Sequence, residues 1–299
     1  MKYVAAIDVG GTSIKAALVS ETLEAVATTN SPTPQDDPTG RRTAGAIAAI
    51  VKELEATHHV SAVGFAVPGT LDEVQGISRW TGNLGWKDLP IKELVAREVN
   101  LPVAFGHDVR SGAVAELRRG AAKEFQQSIF IPIGTGIAAA LIIDGKIRDS
   151  DGYAGEIGHL NVGHDILCVC GLSGCLETIS SAAAITREYE KRTGYQVTSK
   201  EILGRIRSDD HAWQVWEQAI AYLAVALEDL ITILAPEAII FGGGLSQAGA
   251  ALIEPLQAIL SERLTFQRMP QLLIAHYGAN AGTIGCAIMA LDLLAKETA

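Results

Sequence analysis

Short apolar runs punctuated by glycine turns organise the first third of the chain. Residues Tyr3 to Val9 and Ile14 to Val19 are apolar over strand-length stretches, and Gly10-Gly11-Thr12-Ser13 between them reads as a hairpin turn. Leu23 to Thr29 predicts a third strand, after which Pro32, Pro34 and Pro38 mark a loop. Gly45 to Glu55 has helical composition, and the apolar run Val60 to Val67, ended by Pro68-Gly69, predicts a buried strand. A loop carrying Trp80, Asn83 and Trp86 follows. Beyond it the pattern predicts a helix over Ile91 to Val99, a strand over Pro102 to Phe105 and a helix ending near Gly120. Strands and helices that alternate in this way define an α/β protein.

The opening pattern then recurs. Aligned at an offset of 123, Asp8 to Val19 matches Ile131 to Ile142 at six of twelve positions: Gly11/Gly134, Thr12/Thr135, Ile14/Ile137 and Ala16-Ala17-Leu18/Ala139-Ala140-Leu141. Each half is therefore expected to begin with the same β-hairpin. Ile131 and Ala138 stand where the first copy has Asp8 and Lys15, so only the first copy supplies charge. Asp144-Gly145 predicts a turn into a strand over Lys146 to Arg148. The remainder reads as mostly helical, after Ile179, over Ala212 to Leu234 and over Gly285 to Lys296, with strands at Ala238 to Phe241 and Gln271 to Ala275.

Length and composition narrow the class. The 299 residues fit two lobes, and 48% hydrophobic with 19% charged residues excludes disorder. A net charge of −10 argues against sequence-independent nucleic-acid binding, which needs basic surface. The apolar run Tyr3 to Ile7 is stopped by Asp8, too short for the core of a signal peptide, and the apolar stretch around Leu223 to Phe241 is broken by Glu228, Asp229, Pro236 and Glu237. A cytoplasmic protein with reduced thiols and no membrane partner is expected. Cys168, Cys170 and Cys175 cluster, while Cys286 stands apart in a Gly/Ala-rich helix and reads as core.

Five motifs could carry chemistry. Asp8-x-Gly10-Gly11-Thr12 with Lys15 puts backbone amides where a phosphate could approach, and an Asp facing phosphates makes sense if Mg²⁺ lies between them. Gly134-Thr135-Gly136 resembles a dinucleotide fingerprint but is followed by a strand instead of a helix, which leaves a second phosphate-facing hairpin or a plain turn. His107-Asp108 lies where a strand meets a helix; Asp108 reads as a helix cap, a general base, or both. His159 with Cys168, Cys170 and Cys175 forms a Cys₃His set, with His164 a rival fourth ligand. Gly242-Gly243-Gly244 after a buried strand suits close approach to a flat nucleoside, or a flexible loop.

Together these motifs, in this order from Asp8 to about Gly285, resemble the ROK family, and within it the bacterial glucokinases. The resemblance implies two duplicated lobes of the actin-like or ribonuclease H-like type flanking a cleft. The lobes are expected over residues 1–107, joined by the C-terminal helix 287–299, and over residues 108–286. By the same resemblance Asp108 is the base acting on a hexose 6-hydroxyl. Gly69, Asn83, His107, Glu156, His159 and Glu177 contact the sugar, and His159 also binds a structural Zn²⁺ with the three cysteines. Asp8, Gly10, Gly11, Thr12, Lys15, Gly134, Thr135 and Gly136 surround the ATP phosphates and Mg²⁺, with Gly242, Gly243 and Gly244 at the nucleoside. A homodimer is expected on the same ground. Members of the family usually carry Asn where this chain has His107, whose imidazole can charge near neutrality. The second phosphate loop has Ala138 and Ala139 where glycine is common. Fructokinases, N-acetylmannosamine and N-acetylglucosamine kinases and polyphosphate glucokinases share these motifs. The family's repressors carry a DNA-binding segment ahead of the first turn, where this sequence has seven residues, and a silent sugar sensor would not need Asp8, Thr12 and Asp108.

Overall fold

The computed structural model describes residues 1–297, so the end of the helix expected over 287–299 lies outside the described residues. The chain divides into two compact units, one of residues 1–118, 149–153 and 280–299, the other of 119–148 and 154–279.

The first unit is built on a five-stranded sheet. Strands β1 (Tyr3–Val9), β2 (Ser13–Ser20), β3 (Ala25–Pro32), β4 (Val60–Val67) and β8 (Val103–His107) lie in the order β3-β2-β1-β4-β8. The first three are antiparallel and the last two run parallel to β1. Both faces are covered, as near-continuous apolar strands require. Ala5, Ile7 and Val9 pack with α1 (Arg41–Glu55) and α2 (Ile91–Val99), while Val4 and Ala6 pack with Cys286, Ala287 and Ala290 of the last helix, α9 (Ala281–Glu297). Helix α9 comes close: a Cβ on Gly64 would fall 2.0 Å from the Cys286 carbonyl oxygen, and one on Gly285 1.8 Å from that of Ser111 in α3 (Asp108–Arg119). Because α3 is locked to α9 in this way, the first unit runs on to Arg118 and resumes at Asn280, past the boundaries expected at 107/108 and 286/287.

By length and composition residues 278–296 could cross a membrane. Much of their apolar surface is spent on this sheet. A small sheet of β5 (Thr70–Asp72), β6 (Ile77–Thr81) and β7 (Trp86–Leu89) occupies the stretch expected as a loop.

The second unit repeats the plan. Its strands β9 (Ser128–Pro132), β10 (Ala140–Ile143), β11 (Lys146–Arg148), β12 (Ala238–Gly242) and β13 (Gln271–Ile274) lie in the order β11-β10-β9-β12-β13, with the same pattern of parallel and antiparallel pairing. Helices α4 (Glu177–Ser180), α5 (Ala182–Thr193), α6 (Ser199–Arg205), α7 (Asp210–Leu234) and α8 (Ala250–Arg263) complete it, and its core gathers Ile129, Ile131, Trp216, Leu223, Leu227, Phe241 and Leu256.

The repeat is real, but its register differs from the ungapped alignment. In the first hairpin Val9 pairs with Ile14 across a turn of residues 10–13; in the second, Ile133 bridges Ile137 across residues 134–136. The second turn is one residue shorter, so Pro132, not Ile131, is the counterpart of Asp8. The neighbouring ladders agree, since Asp8 ends the β1/β4 pairing opposite Ala66 and Pro132 ends the β9/β12 pairing opposite Gly242.

Candidate active site

In the first unit, the carbonyls of Gly10, Gly11 and Thr12 are held by residues just after β3. The Thr33 hydroxyl donates to Gly10 O (2.7 Å), Gln35 Nε2 to Gly11 O (3.0 Å) and the Thr33 amide to Thr12 O (3.0 Å), while the Gly10 amide donates to Ser13 O (2.9 Å). The amides of Gly11 and Thr12 have no acceptor among the described residues, which makes them available to an anion. Gly11 also leaves room for Asn83, since a Cβ there would fall 3.1 Å from Asn83 Cβ. Nothing local in the sequence marks Thr33 and Gln35, which lie more than twenty residues from the turn they hold. Gly69, at φ +98°, sits so close to β6 that a Cβ would fall 2.3 Å from the Trp80 carbonyl oxygen.

Asp8 continues the face of β1 that carries Val4 and Ala6, and so meets the start of α9. A Cβ on Gly282 would fall 2.7 Å from its Oδ2. Loss of solvent and the neighbouring Asp108 charge push its pKa up to about 7, against the pull of Lys15, its exposed cross-strand partner. Asp108 opens α3, and its Oδ1 accepts the Val109 amide at 2.7 Å, so it does hold the helix start. Burial raises its pKa, opposed by that amide and by the Arg110 charge.

His107 ends β8 with its Nδ1 3.2 Å from both the Val109 amide nitrogen and Asp108 Oδ1. It is buried, and desolvation with the Arg110 charge pushes its pKa down to about 3, Glu73 opposing. The expectation that it charges near neutrality is therefore corrected: it is a neutral imidazole. Arg110 is itself buried, with Nε donating to Glu73 Oε1 at 2.8 Å.

In the second unit, the Gly134 amide donates to Gly136 O (3.0 Å) and Gly134 O accepts the Ala182 amide (2.8 Å). Glu177 Oε2 accepts the Ile137 amide at 3.1 Å, and the amides of Thr135 and Gly136 have no acceptor among the described residues. The two turns thus present the same feature, two consecutive free donors. The strand after the second turn starts late because the Ala139 amide donates instead to Gly155 O (2.7 Å). Glu156 leads into the short 3-10 helix Ile157–His159. Gly242 and Gly243 have structural reasons to be glycine, since a Cβ would fall 2.7 Å from the Phe130 ring or 2.5 Å from Ile133 O, and Gly243 has φ +72°. Of the three, only Gly244 faces open space, so close packing on the hairpin accounts for the first two.

His159, Cys168, Cys170 and Cys175 bring one ligand atom each within 4.8 Å of the others. Cys168 Sγ lies 3.7 Å from His159 Nδ1 and Cys170 Sγ 3.6 Å from Cys175 Sγ, separations that suit a tetrahedral cation site. Burial and the two neighbouring thiols push the Cys175 thiol up to about 12, while the Leu172 amide lowers that of exposed Cys170. A buried thiol held protonated beside two others, as Cys175 is, is what a bound cation would relieve. His164 is not the fourth ligand: its Nδ1 accepts the Ile166 amide (3.1 Å), so Nε2–H donates to Cys175 O (3.2 Å) and supports the cluster from behind.

Two sheets of identical strand order, each opened by a glycine hairpin with free amides, define a duplicated α/β protein of the actin-like type. The ROK family profile matches residues 4–293, and the chain belongs to the ROK family. A glucokinase of Halalkalibacterium halodurans is 31% identical over 95% of this chain and 93% of its own. The crystal structure of a ROK family glucokinase from Streptomyces griseus, in complex with glucose and AMPPNP, superposes with a TM-score of 0.87 at 29% identity, covering 97% of this chain and 99% of that one. A xylose repressor of Caldicellulosiruptor bescii is 27% identical over 77% of this chain and 62% of its own length.

Proposed function

We propose that this chain is an ATP-dependent hexose kinase that phosphorylates the 6-hydroxyl, with glucose as the acceptor. The observation that carries the reading is Asp108, a carboxylate fixed at a strand-to-helix junction by the Val109 amide, with its proton affinity raised by burial. A base so tuned can take the hydroxyl proton as the oxygen attacks phosphorus. The glucose and AMPPNP held by the Streptomyces griseus relative favour this sugar and this donor.

Asn83, Gly69 and His107 of the first unit, and Glu156, His159 and Glu177 of the second, are assigned to the sugar. The neutral His107 would act as a hydrogen-bonding group rather than a charge. Gly11 and Thr12 in one turn, and Thr135 and Gly136 in the other, offer their free amides to phosphate oxygens, with Gly10, Lys15 and Gly134 alongside; Gly244 is the member of its triplet open to a nucleoside. Asp8 would hold Mg²⁺, which supplies charge neutralisation to the phosphates. His159 and the three cysteines fit Zn²⁺, a structural ion that fixes His159. A cytoplasmic homodimer completes the reading.

The test is a coupled phosphorylation assay over glucose, mannose, fructose, N-acetylmannosamine and N-acetylglucosamine, with ATP and polyphosphate as donors. Highest kcat/KM for glucose with ATP is expected. Asp108→Asn should unfold at the wild-type temperature yet lose roughly 10²–10⁴-fold in kcat; a variant that keeps turnover removes Asp108 from the role of base.

A further inference from the structure

The second turn is held at both of its flanks by one short segment. On one side the Ala182 amide, at the start of α5, donates to Gly134 O (2.8 Å); on the other, Glu177 Oε2 at the start of α4 accepts the Ile137 amide (3.1 Å). The fit is close. A Cβ on Gly136 would fall 2.3 Å from Glu177 Oε2, so any side chain there has to displace the carboxylate. Gly158 is pressed against the same group, a Cβ there falling 2.2 Å from Ile137 O and 3.3 Å from Glu177 Cβ.

We propose that Glu177, beyond its assigned contact with the sugar, is a positioning residue for the nucleotide. Through the Ile137 amide it fixes the Gly134-Thr135-Gly136 turn, and with it the two free amides of Thr135 and Gly136. One carboxylate oxygen is committed to the turn, and the sugar contact falls to the other. Two glycines in three residues leave this turn with many conformations to lose, so a charge-assisted anchor at its edge is what would preorganise it. The inference rests on the kinase reading and deepens it.

A residue that touches only sugar has no effect on nucleotide binding when sugar is absent. The experiment is therefore titration of hexose-free protein with AMPPNP and Mg²⁺, followed by amide exchange at Ile137. Glu177→Ala is expected to weaken AMPPNP on the order of tenfold and to speed exchange at the Ile137 amide. Glu177→Gln, whose amide oxygen still accepts, should restore both to within about twofold. Gly136→Ala displaces the carboxylate without removing it and should weaken AMPPNP in the same direction, which carries the test if Glu177→Ala does not fold. Wild-type affinity and wild-type Ile137 exchange in Glu177→Ala, or wild-type affinity in Gly136→Ala, would overturn the inference alone. Wild-type protein that binds no AMPPNP would overturn the kinase reading and the inference with it.

Discussion

At residue scale, Asp8 and Asp108 are two carboxylates near enough for one charge to oppose the other. In the cation-free protein the folded state therefore holds the Asp8 proton more tightly than the unfolded chain does, with a pKa of about 7 against 3.8. The contribution of that bound proton to stability is complete below about pH 4 and is lost as pH rises through about 7. Asp8→Asn should accordingly raise Tm relative to wild type at pH 8, and the gain should shrink towards pH 5; a difference independent of pH would count against the buried charge. Both aspartates were legible in the sequence because each sits beside a local signal, a glycine turn or a strand-to-helix junction. Thr33, Gln35 and the Arg110–Glu73 pair were not, since their partners are brought to them only by the fold.

At element scale, the loop carrying the cysteines is the part that depends most on something other than its own packing. Leu167, Val169 and Leu172 are exposed within it, so apolar burial does not fix its shape. Purified protein should carry about one Zn²⁺ per chain by metal analysis. Cys175→Ser should lower Tm by roughly 5–10 °C, as loss of a few kcal/mol predicts. No bound zinc, with the thiols of Cys168, Cys170 and Cys175 freely titratable, would remove the cation from the account. The spacing of Cys168, Cys170 and Cys175 announced the cluster and the resemblance put His159 in it; the structure brings His159 to the thiols and turns the ring of His164 to the Ile166 amide and Cys175 O. The hairpins tell a similar story. Periodicity located both, yet an ungapped comparison of like residues could not reveal a turn shortened by one position. Strands β5 to β7 were illegible for another reason: three to five residues each, with turn formers between them, carry too little period to register.

At the scale of the molecule, α/β alternation and the sequence repeat foretold two lobes, and the matched sheet orders make the duplication structural. The division of the chain was harder to read from composition, because the first three turns of α9 carry no charged residue and nothing in them says which sheet they cover; only the resemblance joined the end of this helix to the first lobe. It covers the first: Cys286, Ala287 and Ala290 seal Val4, Ala6, Ala62 and Ala66. A chain ending before Ala281 should therefore lose cooperative unfolding of the first unit and become insoluble, as read by calorimetry and the soluble fraction; a soluble chain with an intact first transition would contradict this. The placement of α9 also sets an order in time. A ribosome delivers every residue of the second unit before it delivers the helix that closes the first. The half synthesised earliest must wait, with one face of its sheet uncovered, and the half begun later is the first that can become native.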